Sequence, residues 1–407
     1  MEFKKTTLDN GLTIIGEVNE DALSAAVGFF CRTGSRDETP QISGVSHFLE
    51  HMMFKGTETM TALEVNEAFD HLGAKFNAFT SEENTVYYAA VLPEYLQDVS
   101  KLWSQLMRPS LRDDDFDIEK NVIKEEIAMY KDMPHFDVMD RCRALHFKGH
   151  PCGNSVLGTN ESIDNLTADQ MRDYFASRYA PDNLTVACCG NFDFDQLCTL
   201  IESMCGKWEK GHATRELSAF DGTHEKNRKE SDSLVREHIC LLSGAVSMQD
   251  DRKYAGSLLS LIAGDQTGSR YFWGLVDNAL AEVAAMQYET MDGAGGLYSY
   301  IRCNPQDQDK VMEVVEGIFA DLEKDGVTEE ELEKARNKVL SAITIKSEQP
   351  MGRLTNLGLN WVYCQEYKSV ADDVKAIKAV TVDDVNKLIK DYPLSSYTKV
   401  ALGPKKA

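Results

Sequence analysis

Helical and extended periodicities alternate along the first half of the chain. Apolar residues recur every three to four positions in four segments and every second position in a fifth, the spacings of amphipathic helices and of a strand or hairpin. The helices are predicted at Gly44–Lys55, Ala62–Leu72, Leu96–Met107 and Asp115–Tyr130, and the strand or hairpin at Phe76–Leu92. Two more strands are predicted around the Asn-Gly turn at Asn10. Because no regular βαβ order appears, the pattern favours an α+β fold with helices on an antiparallel-rich sheet.

The second half of the chain repeats features of the first. A threonine opens a helical pattern at Thr167 and again at Thr381, 214 positions later, and a strand-like run follows each helix. Glu119 and Glu333, each within a leucine- or isoleucine-Glu-Lys sequence, are also 214 positions apart. Two matches at one offset predict two homologous domains of about 200 residues each.

A polar, charged stretch separates the two halves. Residues 207–235 show little apolar periodicity, which is typical of a linker. We therefore predict a first domain at residues 1–208, a linker at 209–235 and a second domain at 236–407.

Composition excludes several classes of protein. The chain has 407 residues, 43% of them hydrophobic, and its mean hydropathy is −0.36. No apolar run approaches the roughly 18 residues of a membrane helix, and the N-terminus lacks the features of a signal peptide. The formal net charge is −23. Such a surface repels nucleic acid and anionic membranes, so neither is expected as a partner.

The ten cysteines show neither a CxxC pair nor regular spacing. Two of them, Cys188 and Cys189, lie inside an apolar strand-like run. Buried free thiols explain this distribution better than a disulfide framework or a zinc ribbon does. We expect a reducing, cytoplasmic location.

The stretch VSHFLEHMMFKGT contains the strongest candidate chemistry. His47 and His51 are four residues apart, so a helix presents both from one face, within reach of a single zinc ion. Glu50 lies on the same face and could accept a proton from a metal-bound water. The alternative is a solvated helix face that carries two histidines without any metal.

A catalytic zinc usually takes three protein ligands, so a third must come from elsewhere. The helix predicted at Asp115–Tyr130 has an apolar stripe of Phe116, Ile118, Val122, Ile123 and Ile127. Glu119 and Glu126 are two turns apart and share one face, whereas Glu125 points about 100° away. A solvated charged face remains the alternative for this helix taken alone.

Three segments together resemble the pitrilysin/insulinase family of zinc peptidases, which carry the inverted HxxEH motif. They are HFLEHMMFKGT, FNAFTSEENTVYY and EKNVIKEEI, and the resemblance is strongest in the first 190 residues or so. It implies that His47, His51 and Glu126 hold one zinc ion per chain. Glu50 would activate a zinc-bound water for attack on a peptide bond.

The resemblance also assigns supporting roles. Glu119 would support the site without binding the metal, and Glu125 is the rival ligand to Glu126. The domain at 1–208 would be catalytic. The domain at 236–407 would be a degenerate repeat that binds no metal, because no histidine occurs after His238.

Asn77, Ala78 and Phe79 match the family's substrate-binding strand. In the family this strand forms a sheet edge that pairs with the extended peptide backbone, which gives affinity with little demand on sequence. The alternative is an ordinary interior strand.

The chain departs from the family in its second half. The family's Arg and Tyr there are replaced by Val276 and by Glu282 or Val283, and Arg270 is better explained as a structural arginine. The implied function is a zinc endopeptidase acting on unstructured peptides in the enclosed chamber of a homodimer. A zinc subunit that needs a related partner chain, a non-catalytic assembly protein and a metal hydrolase of another class are the alternatives.

Overall fold

The computed structural model describes residues 1–215, 217–218 and 220–405. Positions 216 and 219 of the predicted linker, and 406–407 of the second predicted domain, lie outside the described residues. The strands are β1 Glu2–Thr7, β2 Thr13–Val18, β3 Ala25–Cys31, β4 Lys75–Thr80, β5 Thr85–Val91, β6 Leu184–Gly190, β7 Lys226–Glu230, β8 Glu237–Gly244, β9 Ala281–Thr290, β10 Gly295–Cys303 and β11 Tyr397–Gly403. The α-helices are α1 Val45–Met53, α2 Ala62–His71, α3 Leu96–Leu106, α4 Asp113–Lys131, α5 Pro134–His146, α6 Asn160–Asn165, α7 Ala168–Arg178, α8 Phe194–Cys205, α9 Lys253–Gly264, α10 Gln308–Asp325, α11 Glu329–Ser347, α12 Pro350–Cys364, α13 Val370–Ala379 and α14 Val382–Asp391.

Two compact units, each discontinuous in sequence, make up the fold. The first unit comprises Met1–Ile127, Asn154–Glu216 and Thr344–Lys368. The second unit comprises Ala128–Gly153, Leu217–Ile343 and Ser369–Ala407. Each unit therefore includes a helical segment from the other half of the chain. The continuous domains at 1–208 and 236–407 describe the repeat in the sequence and remain a prediction. The compact units are instead built from segments that alternate along the chain.

The sheet of the first unit has the strand order β1-β2-β6-β3-β5-β4. The β2–β6 pair is parallel and the other pairs are antiparallel, which confirms the antiparallel-rich α+β prediction. Strand β3 is buried along its whole length because both of its faces are covered. Helices α1, α3, α4 and α8 contribute to the core on one face, and α12 covers the other face with Leu354, Leu357 and Trp361.

The five-stranded sheet of the second unit repeats the order of β2-β6-β3-β5-β4, and the described residues include no strand in the place of β1. Its order is β7-β11-β8-β10-β9, with β7 parallel to β11 as β2 is parallel to β6. Helix α5 packs against β8 and β11, the position that α12 takes in the first unit. The shared strand order and shared parallel pair confirm that the two domains have the same fold.

Strand β7 lies inside the range 209–235 that was predicted as linker. Its sequence, KNRKE, is charged and largely exposed, so hydrophobic periodicity could not reveal it. The strand forms because its backbone pairs with the edge of β11. The second sheet therefore begins before residue 236.

Matching helix starts reflect the sequence repeat. The Thr167 hydroxyl accepts a hydrogen bond from Gln170 N at 3.2 Å, and the Thr381 hydroxyl accepts one from Asp384 N, also at 3.2 Å. The Gln170 and Asp384 side chains bond back to the threonine N–H groups. These capping boxes satisfy amides that would otherwise lack intrahelical partners, so both helices begin where the sequence predicts.

The predicted apolar stripe of α4 is only partly correct. Phe116, Ile123 and Ile127 are buried, but Ile118 is 63% and Val122 45% exposed. The buried residues are spaced as on a single helix face, and the two exposed residues lie beside that face.

None of the helices that the structure describes combines the length and apolar content that a membrane crossing requires.

Helix α1 begins at a left-handed glycine. Gly44 has φ +91°, and a Cβ there would lie 2.7 Å from the Leu157 carbonyl oxygen, so a side chain cannot be placed at this cap. Glu38 replaces it. Its Oε2 accepts a hydrogen bond from Gly44 N at 2.6 Å and its Oε1 accepts one from Ser46 N at 2.8 Å. Burial raises the pKa of Glu38 to about 7.

The substitution Glu38→Ala should lower the free energy of unfolding by about 1–3 kcal/mol at about pH 6, below the raised pKa of Glu38. Alanine offers no acceptor oxygen, so the buried N–H groups of Gly44 and Ser46 both lose their partner. Denaturant unfolding in the presence of a metal chelator measures the loss. The exposed control Glu58→Ala should change stability by less than about 0.5 kcal/mol. Equal stabilities for the two variants would contradict the capping role.

Candidate metal centre

Two turns of α1 carry the candidate ligands. Phe48, Leu49 and Met52 are buried in the core of the first unit and hold the helix against the sheet. His47 and His51 project from another side, with ring centroids 4.7 Å apart. Their i, i+4 spacing places them one above the other, as the sequence predicts for this helix.

Helix α4 brings the third donor. Glu126 Oε2 lies 3.6 Å from His47 Nε2 and 3.4 Å from His51 Nε2. One oxygen therefore faces both imidazoles, and candidate ligand atoms of the three residues lie within 4.8 Å of one another. Glu125 is exposed, as the helical phase predicted. The geometry thus favours Glu126 over Glu125 as a ligand.

Glu119 contacts the opposite nitrogen of His51. Its Oε1 lies 2.9 Å from His51 Nδ1, and its Oε2 lies 2.5 Å from Lys55 Nζ. A hydrogen bond from Nδ1–H to a carboxylate fixes the ring orientation and leaves Nε2 free to bind a metal. This arrangement supports the predicted auxiliary role of Glu119.

The two histidines have opposite protonation tendencies. Burial lowers the pKa of His47 to about 4, so this ring is neutral at pH 7. Burial also opposes the charge on His51, but hydrogen bonds with Glu119 and Glu126 outweigh it and raise the pKa to about 9. Contact with His51 in turn lowers the pKa of Glu126. In metal-free protein we therefore expect protonated His51 to form an ion pair with its two carboxylates.

This donor set fits a zinc ion. Two imidazoles and one carboxylate are typical zinc ligands, and a catalytic site with three protein ligands keeps one position open. His47 Nδ1 is buried without a hydrogen-bond partner among the described residues. No hydrogen bond from the described residues to this nitrogen therefore turns the ring away from Glu126. His47, His51 and Glu126 are therefore the residues that would hold the metal.

Glu50 lies on α1 between the two histidines. Its Oε2 accepts a hydrogen bond from the Thr80 hydroxyl at 2.6 Å. Burial raises the pKa of Glu50 above its ordinary value. A carboxylate with a raised pKa is a stronger proton acceptor, which suits a general base.

The predicted substrate-binding residues lie on β4, an edge strand that pairs only with β5 within the described sheet. Ala78 is buried on the face that packs toward α1, whereas Phe79 packs in the core on the other face of the sheet. Asn77 is exposed and its Oδ1 accepts a hydrogen bond from Ala78 N at 2.9 Å. Strand alternation places its side chain on the face opposite to that of Ala78.

The second unit contains Arg270 and the positions where the sequence resemblance implies an Arg and a Tyr. Arg270 forms a bidentate ion pair with Glu331 at 2.8 and 3.1 Å and donates to the Gly326 carbonyl at 2.9 Å. These contacts support the interpretation of Arg270 as a structural arginine. Val276 ends a π-helix at Phe272–Val276.

Two polar contacts at the centre were not predicted. Lys55 lies four residues after His51, so spacing along the predicted helix could have identified it as a neighbour of His51. Its ion pair with Glu119 depends on how α4 packs against α1. Thr80 lies within the recognised Asn77–Thr80 segment, but its contact with Glu50 depends on how β4 packs against α1. No local pattern encodes that packing.

Comparisons with known proteins agree with this geometry. The family model described as "Insulinase (Peptidase family M16)" matches residues 13–160, and "Peptidase M16 inactive domain" matches residues 165–339. An uncharacterized zinc protease of Bacillus subtilis is 32% identical across 99% of this chain and 98% of its own length. An uncharacterized zinc protease of Mycobacterium tuberculosis is 30% identical across 98% of this chain and 93% of that protein.

The fold also has a close counterpart among solved structures. The crystal structure of a protease from Helicobacter pylori superimposes with a TM-score of 0.92, covering 99% of each chain at 21% sequence identity. At that identity the similarity concerns the fold alone. The similarity in fold therefore extends over 99% of the chain.

The variant Glu126→Gln should bind zinc more weakly than wild type. The loss of affinity should exceed the roughly 10–100-fold that follows when a residue hydrogen-bonded to a metal ligand is removed. The amide removes the anionic oxygen that faces both histidines. Isothermal titration with Zn²⁺, supported by elemental analysis, measures the affinity and stoichiometry. Glu125→Gln is the matched control on the same helix and should bind one zinc ion normally. If Glu125→Gln loses the metal instead, the ligand assignment is wrong.

In the chelated protein, His51 should titrate near pH 9 and His47 should remain neutral down to about pH 4. An ordinary histidine titrates near 6.5. Imidazole NMR, assigned with the single histidine variants, resolves the two rings. Glu119→Gln removes a hydrogen bond to the charged ring and should lower the pKa of His51. An unshifted His51 in wild-type protein would refute the proposed ion pair.

Proposed function

Because the chain belongs to peptidase family M16, the insulinase family, we propose that it is a zinc-dependent endopeptidase that hydrolyses unstructured peptides. The observation that carries this proposal is the convergence of three donors from two helices. His47, His51 and Glu126 meet with Glu50 beside them, within one compact unit. Relatives named as zinc proteases that match along almost the full chain support the same reaction class.

Each site residue has a distinct task in this proposal. Bound zinc would act as a Lewis acid that polarises the peptide carbonyl and acidifies water. Glu50 accepts the proton of the attacking water and passes it to the leaving amine. Glu119 holds the His51 ring so that its Nε2 faces Glu126. Lys55 neutralises the second oxygen of Glu119.

The edge strand β4 supplies the proposed substrate-binding surface. An extended peptide would pair with it by main-chain hydrogen bonds, which require an unfolded segment but little specific sequence. Asn77, Ala78 and Phe79 would line this edge. The bond from Ala78 N to Asn77 Oδ1 would be exchanged for contacts with the peptide.

We further propose that two copies of the chain enclose the reaction in a chamber, as the family resemblance implies. Val276 stands where active relatives carry an arginine, so a related partner chain that supplies the missing groups is the main alternative to a homodimer. A reducing, cytoplasmic compartment fits the ten free cysteines, eight of which are buried. Size-exclusion chromatography, alone and with candidate partner chains, distinguishes the two assemblies.

The variant Glu50→Gln should lose about 10²–10⁴-fold in kcat because the amide cannot accept the proton. Its zinc content should stay at the wild-type level, since Glu50 is not a ligand. Cleavage of a mixed peptide library by mass spectrometry, with zinc analysis of the same samples, measures both. Glu125→Gln serves as the control and should cleave normally.

The same experiment separates a peptidase from the two other functions. A non-catalytic assembly protein would bind zinc but leave the library intact in wild type and variant. A hydrolase of another class would also leave peptides intact. Cleavage by Glu50→Gln at the wild-type rate would refute the assigned base.

A further inference from the structure

The Thr80 hydroxyl donates a short hydrogen bond to the candidate base, Glu50. Its Oγ1 lies 2.6 Å from Glu50 Oε2 and 3.4 Å from the Thr85 hydroxyl. A hydroxyl has one proton to donate, and a carboxylate is the stronger acceptor. Thr85 has its own acceptor, the Thr33 carbonyl at 3.0 Å. The Thr80 proton therefore points to Glu50.

This bond restrains a side chain that would otherwise rotate. Glutamate has three side-chain torsions, and one carboxylate oxygen of Glu50 is held by Thr80. The other oxygen, Oε1, is left as the acceptor for a reacting water. Catalytic groups must be held within about 0.5 Å of their productive positions, so a fixed carboxylate matters more for reaction than for folding.

Thr80 is also the last residue of β4. Strand alternation places it on the same face as Phe76 and Ala78, which contribute to the core that includes α1. Asn77 and Phe79 alternate to the other face and cannot make this contact. Within β4, Thr80 is thus the residue that bonds the edge strand to the base.

We propose that Thr80 is a positioning residue that fixes Glu50 relative to the strand that receives the peptide. The inference rests on the proposed peptidase function and adds a residue to it. The hydrogen bond from Thr80 holds the Glu50 carboxylate at a fixed position relative to β4. A peptide paired with the backbone of β4 would therefore also lie at a fixed position relative to that carboxylate. Proximity and orientation of this kind contribute to kcat rather than to binding.

The test compares Thr80→Val, Thr80→Ala and Thr80→Ser in the full-length, zinc-loaded protein. Valine is nearly isosteric and alanine cannot clash, yet both lack the hydroxyl, whereas serine retains it. We expect kcat on an unstructured peptide to fall about 10–100-fold in the valine and alanine variants, with KM within about threefold of wild type. Serine should restore kcat to within about threefold. Zinc stoichiometry should not change.

Thr13→Val is the matched control. Thr13 is a half-buried strand threonine of the same sheet, and its hydroxyl pairs with the Thr7 hydroxyl at 3.3 Å. This variant should keep the wild-type kcat.

Three outcomes overturn the assignment of Thr80 while the peptidase function stands: wild-type kcat in both variants that lack the hydroxyl, a loss confined to KM, or no rescue by serine. If the wild-type protein binds zinc but cleaves no peptide, either alone or with the candidate partner chains, the peptidase function itself fails and the role of Thr80 fails with it. The wild-type measurement therefore tells the two failures apart.

Discussion

A single carboxylate oxygen joins the two helices of the candidate centre, because Glu126 Oε2 faces the Nε2 atoms of both His47 and His51. The histidines come from α1 and the carboxylate from α4, which are separated by some 75 positions of sequence. Packing of apolar side chains in the first core brings the helices together, and the polar donors follow from that packing. The chemistry therefore depends on the rigidity of two helices rather than on a mobile loop.

Several polar groups of α1 bond to residues from other elements. Glu38 accepts from the first amides of the helix, Glu119 and Lys55 form a chain behind His51, and Thr80 donates to Glu50. Buried polar atoms cost free energy unless they are paired, so these contacts stabilise the helix as well as orienting its side chains. Stability and preorganisation have the same physical source here.

The duplicated fold separates architecture from chemistry. Apart from the additional strand β1, the described sheets share one strand order and one parallel pair, yet no histidine occurs after His238. Helix α11 carries Glu333 at the repeat position of Glu119 but has no two-histidine helix to serve. The matching family model is described as an inactive domain. A fold can thus be kept while its site is lost, because packing depends on apolar periodicity and the site on a few polar residues.

The sequence by itself predicted most elements of the first half, the duplication and the pairing of His47 with His51 on one helix face, because apolar periodicity, capping residues and helical spacing are local properties of the chain. The choice of Glu126 as third ligand came from the family resemblance. It could not reveal β7, whose charged residues form a strand only by pairing with β11, nor the exchange of helices that places α12 on the first sheet. The contact of Thr80 with Glu50 likewise arose only in the tertiary structure. Such features depend on contacts between segments that are far apart in the sequence. The free energy of these contacts leaves no periodic pattern in the sequence of either segment.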